Sequence, residues 1–227
     1  MIKKDSFRNE TYKSKAKNLI EYLKRNFAKE IEVRVEFDPD PINPRLFSSN
    51  LGKMVCIHKE YILGDVHNLE ACFFKWETLE SYLRKEENAC IILPLFLFDR
   101  SGLSISTNLD DFRAVDPFGR YCNQVGFIYT TYEAMRDFFC KRGRRFIYKK
   151  KAEEILRKEV KAYDTFLQGR ELMFSIISMG EIFFQDGCFF SEDSCWQAIG
   201  KELLSLRMEL EKEVEGLEKV DVKIRRV

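Results

Sequence analysis

Between Ala89 and Phe98 ten residues run without a charge: Ala-Cys-Ile-Ile-Leu-Pro-Leu-Phe-Leu-Phe. A helix needs about 20 apolar residues to cross a bilayer, so this run is too short to span one. It is apolar at both odd and even positions, so as a strand it requires cover on both faces. The segment therefore calls for a layered fold with a sheet inside. Pro94 has no N–H to give to a ladder, and a bulge or an edge is expected there.

The remaining periodicities supply the cover. Tyr12, Ala16, Leu19, Ile20, Leu23 and Phe27 recur at spacings of three and four, which predicts an amphipathic helix over 11–29. The period then changes to two at Ile31, Val33, Val35 and Phe37, the pattern of a half-buried strand. The prolines at 39, 41 and 44 make 37–45 an extended loop. Further strands are predicted at 54–57, 103–107, 125–130 and 172–178, with 182–184 paired to the last and Gln185-Asp186-Gly187 as a turn. Leu69, Phe73, Trp76, Leu79 and Leu83 mark a second helix. Thr131 caps a short one to Phe139, and Ile155 to Leu167 forms another that ends at Gly169. Leu203, Leu206, Leu210 and Val214 give a last helix, stopped near Gly216, before a closing strand of Val220, Val222 and Ile224. Helices and strands alternate with short turns between several strands. The expectation is one α+β domain over 1–227, with a mainly antiparallel central sheet flanked by helices. Its core is 36–196; the helix at 11–29 and the helix and strand within 200–226 are additions.

Charge narrows the partners. Lys and Arg number 38 against 37 Asp and Glu, so no global field draws the chain to nucleic acid or to an anionic membrane. Seven cysteines, an odd number without CxxC spacing, fit reduced thiols, and no apolar leader opens the chain; the expected location is the cytoplasm.

Several segments recur in a familiar order. They are Phe37-Asp38-Pro39-Asp40-Pro41 with Asn43-Pro44-Arg45, Leu51 to His58 leading to Leu63-Gly64-Asp65-Val66-His67-Asn68, and Ile92-Leu93-Pro94-Leu95 with Phe98-Asp99-Arg100-Ser101-Gly102. Gln124 to Tyr129, Tyr163-Asp164 and Asp193-Ser194-Cys195-Trp196 complete the series. Over roughly 36–196 the chain resembles an uncharacterised family of small proteins carried by bacteriophages and conjugative elements. The resemblance implies a mobile-element origin and brings no activity with it. Where that family has Trp-Asp-Ser-Gly, this chain has Arg120-Tyr121-Cys122-Asn123, and a site built on that Asp and Ser would be altered here.

Four groups of residues could carry chemistry or binding. His58, Asp65 and His67 contain the only two histidines. Two imidazoles and a carboxylate suit a divalent metal with open positions, while Gly64-Asp65 reads equally as a turn and His67-Asn68 as a cap. Cys56 and His58 are spaced as a nucleophile and base, or Cys56 is a core thiol. Asp99, with Asp38, Asp40, Asp110, Asp111 and Asp116, lies in or beside loops that could gather a cation or simply be Asx turns. Asp99 to Gly102, after the most apolar strand, is the stretch best placed to line a cleft. Lys141 to Lys151 carries Arg142, Arg144, Arg145 and Lys149 with aromatics between them, a local patch for phosphates or a solvated face. No phosphate loop or dinucleotide fingerprint is present, so no cofactor is expected, and no metal is assigned.

The first-ranked reading is a non-enzymatic binding protein of phage or plasmid type that docks on a host protein, such as one in a defence or nucleic-acid-processing system. The alternatives are a metal-dependent hydrolase using His58, Asp65, His67 and Asp99, and a non-specific nucleic-acid binder using the 141–151 run. No membrane partner is expected.

Overall fold

The computed structural model describes residues 3–27, 30–69, 75–100, 102–139 and 145–224, with side chains described within 12–26, 30–69, 75–100, 102–139 and 148–212. In chain order the elements are α1 (Lys3–Phe27), β1 (Ile31–Phe37), a 3-10 turn (Pro44–Leu46), β2 (Lys53–Cys56), α2 (Trp76–Lys85), β3 (Ala89–Asp99) and β4 (Leu103–Ser106). A second 3-10 turn (Leu109–Phe112) precedes β5 (Cys122–Thr131), α3 (Tyr132–Phe139), α4 (Arg145–Leu167), β6 (Leu172–Ser178), β7 (Glu181–Phe189) and α5 (Glu192–Ile224). The protein is α+β with antiparallel pairing, as the periodicities imply. Its strands form two sheets, ordered β1-β6-β7 and β2-β5-β3-β4. The chain divides into two compact units, residues 1–41 with 171–227 and residues 42–170.

The 42–170 unit has three layers. On one face of its sheet Met54, Cys56, Leu93, Leu95 and Ile128 pack with Leu156, Val160 and Tyr163 of α4. On the other, Val55, Phe127 and Tyr129 pack with Leu79 and Leu83 of α2. The double cover demanded by 89–98 is supplied by these two helices. Pro94 is tolerated inside β3 because β4 pairs only with Phe96 to Asp99, leaving one flank at residue 94 without a neighbour. The expected bulge is a register shift one residue later, between Leu95 and Phe96. Thr131 caps α3 as predicted, its hydroxyl accepting the Ala134 N–H at 3.1 Å.

The other unit places α1 and α5 on one face of β1-β6-β7, around Phe174, Ile176, Leu23, Ile199 and Leu203. Lys13 lies beside Glu192 and Tyr22 beside Glu211, so the two helices run in the same sense. Met179 and Gly180, both with positive φ, make the two-residue turn between β6 and β7.

Three expectations are corrected. Gln185-Asp186-Gly187 is no turn; it lies within β7, where a register shift and a positive φ at Cys188 mark a bulge. The closing strand is absent, because α5 runs unbroken to Ile224. Leu210, Val214, Leu217, Val220 and Ile224 keep helical spacing through the short alternating stretch, and the longer period wins. The helix expected from Leu69 starts at Trp76, with 70–74 outside the described residues.

One buried group makes stability depend on pH. Glu171 is 1% exposed and neither carboxylate oxygen has a hydrogen-bond partner. Burial, and then the charge of Asp38, raise its pKa from 4.5 to about 7. The folded chain thus holds this proton more tightly than the unfolded chain does. Stability from this residue is full below the unfolded value and is lost as pH rises through the folded one. The wild type is expected to melt lower at pH 8 than at pH 5. Glu171→Gln should remove about 2 kcal/mol of that pH dependence, read from urea midpoints at the two pH values. An identical pH dependence in the variant would show that Glu171 is not the titrating group.

Candidate functional site

The sequence candidates in the 42–170 unit are bonded into its loops. Asp65 receives a two-pronged contact from Arg45, Nε to Oδ1 at 2.9 Å and Nη2 to Oδ2 at 2.8 Å, and accepts the Met54 N–H at 2.7 Å. Arg45 Nη1 also reaches Glu159 on α4 at 3.1 Å, and Nη2 donates to the Gly52 carbonyl at 2.7 Å. Glu159 in turn accepts the N–H groups of Leu51 at 2.6 Å and Gly52 at 3.1 Å. The Arg45 side chain is only 3% exposed. Burial opposes its charge, but the Asp65 and Glu159 carboxylates outweigh that, and its pKa stands above the ordinary value. Asn43 accepts the Arg45 N–H at 2.9 Å, and Tyr163 Oη accepts the Gly64 N–H at 3.0 Å. The motif positions around 43–45, 51–52, 64–65 and 163 are thus the knots that tie two loops to α4.

His67 Nε2 donates to the Cys56 carbonyl at 2.8 Å while Nδ1 accepts the Leu69 N–H at 3.4 Å. His58 Nδ1 accepts the N–H groups of Glu60 at 3.2 Å and Tyr61 at 3.3 Å, and its ring stacks on Tyr61. The Tyr61 hydroxyl lies near Asp99, whose charge raises its pKa above the ordinary value. Any metal at His67 or Asp65 would have to displace these bonds, and among the described residues no three His, Cys, Asp or Glu side chains form a ligand group. Cys56 is buried, and burial with the nearby Asp65 pushes its thiol up to about 12, far from a thiolate nucleophile.

Two of the loop aspartates, Asp38 and Asp116, hold the backbone. Asp116 accepts the N–H groups of Arg120, Tyr121 and Cys122, so the segment that departs from the resembled family is itself held by a carboxylate. Asp38 accepts from the Asp40 and Cys188 N–H groups, and Asp110 and Asp111 sit in the second 3-10 turn. A cavity of about 660 Å³ lies beside the end of β3, with Phe98 and Gly102 in its wall, but Asp99 and Arg100 do not line it. Its polar groups are paired to one another: Asp164 accepts from Ser104 at 2.6 Å, Gln168 at 2.7 Å and Lys161 at 2.7 Å. In the basic run, Arg142 and Arg144 and the side chain of Arg145 lie outside the described residues. Lys149 stands 5.3 Å over the Tyr132 ring and hydrogen-bonds its hydroxyl.

Another cavity is in the other unit. A groove of about 510 Å³ lies between α1 and α5, walled by Tyr12, Leu19, Tyr22, Trp196 and Leu204. Ala16 and Gly200 contribute almost no side chain to it, and nothing stands within 4 Å of a Cβ built on Gly200. No carboxylate lines it, whereas Lys15, Lys201 and Arg207 do. Arg207 is committed, lying 4.3 Å over Tyr22 and donating to Glu211 at 2.7 Å. Lys13 lies 5.1 Å over the Trp196 ring and pairs with Glu192. Lys15 and Lys201, one on each wall, have no ion-pair partner among the described residues.

Sequence reasoning passed over this groove, though the signal is there. Ile199, Leu203, Leu206 and Leu210 are the core stripe of α5, and Trp196, Gly200, Leu204 and Met208 form a second stripe beside it at spacing four. Leu204 and Met208 remain 51% and 58% exposed. The apolar face is wider than packing on one sheet requires.

No described helix is long and apolar enough to cross a membrane. Comparison with protein-family models, with curated proteins and with solved structures gave no match.

Proposed function

We propose that the protein is a binding protein of mobile-element type that docks on a host protein through the groove between α1 and α5. The observation that carries this reading is an open, apolar, aromatic-walled groove without a single carboxylate. Apolar surface left open in this way marks interaction sites. The resemblance over 36–196 supports the mobile-element origin, and with it a host component as the target. The candidate residues of the 42–170 unit support it indirectly, since Asp65, His67 and Asp164 are engaged in holding loops.

The expected result of affinity capture from host lysate is one protein held in stoichiometric amount by the wild type. It should be reduced at least tenfold by Leu204→Glu, which places a charge at the groove without burying it. Phe118→Glu, at an apolar side chain 82% exposed and outside the groove, should leave capture unchanged. Equal capture by Leu204→Glu and wild type, with both variants folded by circular dichroism, would remove the groove as the docking surface.

A further inference from the structure

We infer that the element docked in the α1–α5 groove is an amphipathic α-helix of the partner whose apolar stripe is flanked by carboxylates. This rests on the docking reading above and gives that reading a ligand chemistry.

The walls set the shape of what can dock. Both are helices, whose backbone N–H and C=O groups are already bonded within each helix, so the groove offers no strand edge and cannot extend a sheet. Recognition there must be by side-chain packing. A proline-rich strand would need open aromatic faces, but Lys13 and Arg207 already stand over the Trp196 and Tyr22 rings. What is left is an apolar trough between two helices running in the same sense, with Ala16 and Gly200 as its low points. Such a trough accepts the i, i+4, i+7 anchors of a third helix.

The rims set its charge. Lys15 on α1 and Lys201 on α5 are exposed, face opposite sides of the trough and lack ion-pair partners among the described residues. The whole chain carries only +1, and the acids nearest the groove, Glu192 and Glu211, are already paired with Lys13 and Arg207, which leaves Lys15 and Lys201 as a local excess of positive charge. An apolar helix bearing Glu or Asp on both flanks satisfies both ammoniums. One bearing Lys is repelled on both sides. Exposed pairs are individually weak, so the effect expected is selectivity among helices of equal apolar face.

The test uses the full chain carrying Trp76→Phe, which leaves Trp196 in the groove wall as the only tryptophan. Its emission is followed while two synthetic helical peptides are added. They share one leucine stripe and differ only in Glu or Lys flanks. The Glu peptide should saturate the signal and bind at least tenfold more tightly at low salt, the gap narrowing as salt is raised. Lys15→Glu with Lys201→Glu should invert the preference, and Leu204→Glu should abolish binding of both. Equal binding of the two peptides, no inversion in the double variant, or saturation by dodecanoate that excludes the Glu peptide would each overturn the inference. If any of these occurs while Leu204→Glu still loses the captured host protein, the groove remains a docking site and only the acidic helix is wrong. If Leu204→Glu keeps that protein, the docking reading itself falls.

Discussion

Arg45→Met should destabilise the protein by about 3–5 kcal/mol, because it removes one member of a buried charge network and leaves two carboxylates behind. Asp65 and Glu159 would keep their bonds to the N–H groups of Met54, Leu51 and Gly52, but lose the cation that offsets their burial. Burial already raises the Glu159 carboxyl above its ordinary value, and losing the Arg45 cation that opposes this should raise it further. Urea unfolding gives the measurement: the midpoint should fall with an unchanged slope. Arg45→Lys should recover little of the loss, since one ammonium cannot supply Nε, Nη1 and Nη2 to Asp65, Glu159 and the Gly52 carbonyl together. A loss under about 1 kcal/mol in Arg45→Met would show that the loops are held by packing and the network is incidental.

Gly126→Ala should cost roughly 3 kcal/mol, the upper end of over-packing penalties. Gly126 pairs with Cys56 where β2 leaves β5, and a Cβ there would overlap the Val55 carbonyl oxygen and crowd the Cys56 Cα. These are backbone atoms inside a ladder, so no rotamer change relieves the overlap and the strands must part. Amide exchange should localise the damage: the Ile57 N–H, bonded to the Val125 carbonyl at 2.7 Å, should lose protection first. Gly200→Ala is the contrast. The same added methyl meets nothing within 4 Å on a helix, and should stabilise by about 0.5–1 kcal/mol. Wild-type stability in Gly126→Ala would mean that the β2–β5 pair tolerates a wider spacing than its register suggests.

What the sequence made legible follows from period and length. Ala89 to Phe98 announced a doubly covered strand, and Ile31 to Phe37 a half-buried one, because side-chain parity is a local property. The division of the strands between two sheets was not legible, since nothing local in Ile31–Phe37 says that its partner is Leu172–Ser178. Asp65 drew attention as a ligand because spacing shows what could converge. That Arg45, 20 residues earlier, would take both its oxygens is a tertiary fact. The groove was hidden for a related reason: Gly200, Leu204 and Met208 continue at spacing four from Trp196, which is core, and look like core themselves until the sheet is found to need only the neighbouring stripe.

The way the chain is divided has a consequence for the order of events during synthesis. The 42–170 unit is continuous, so all its strands and α4 are complete once residue 170 has emerged. The other unit is assembled from both ends, and β1 has no partner until β6 is made. A nascent chain therefore carries Ile31, Val33 and Val35 on an unpaired strand, with the apolar stripe of α1 uncovered, while everything between is translated. At about 5–20 residues per second that wait lasts on the order of 10 seconds, long enough for a holding chaperone to bind. Because α5 follows both sheets in the chain and packs on α1, the groove between the two helices exists only once α5 has been made.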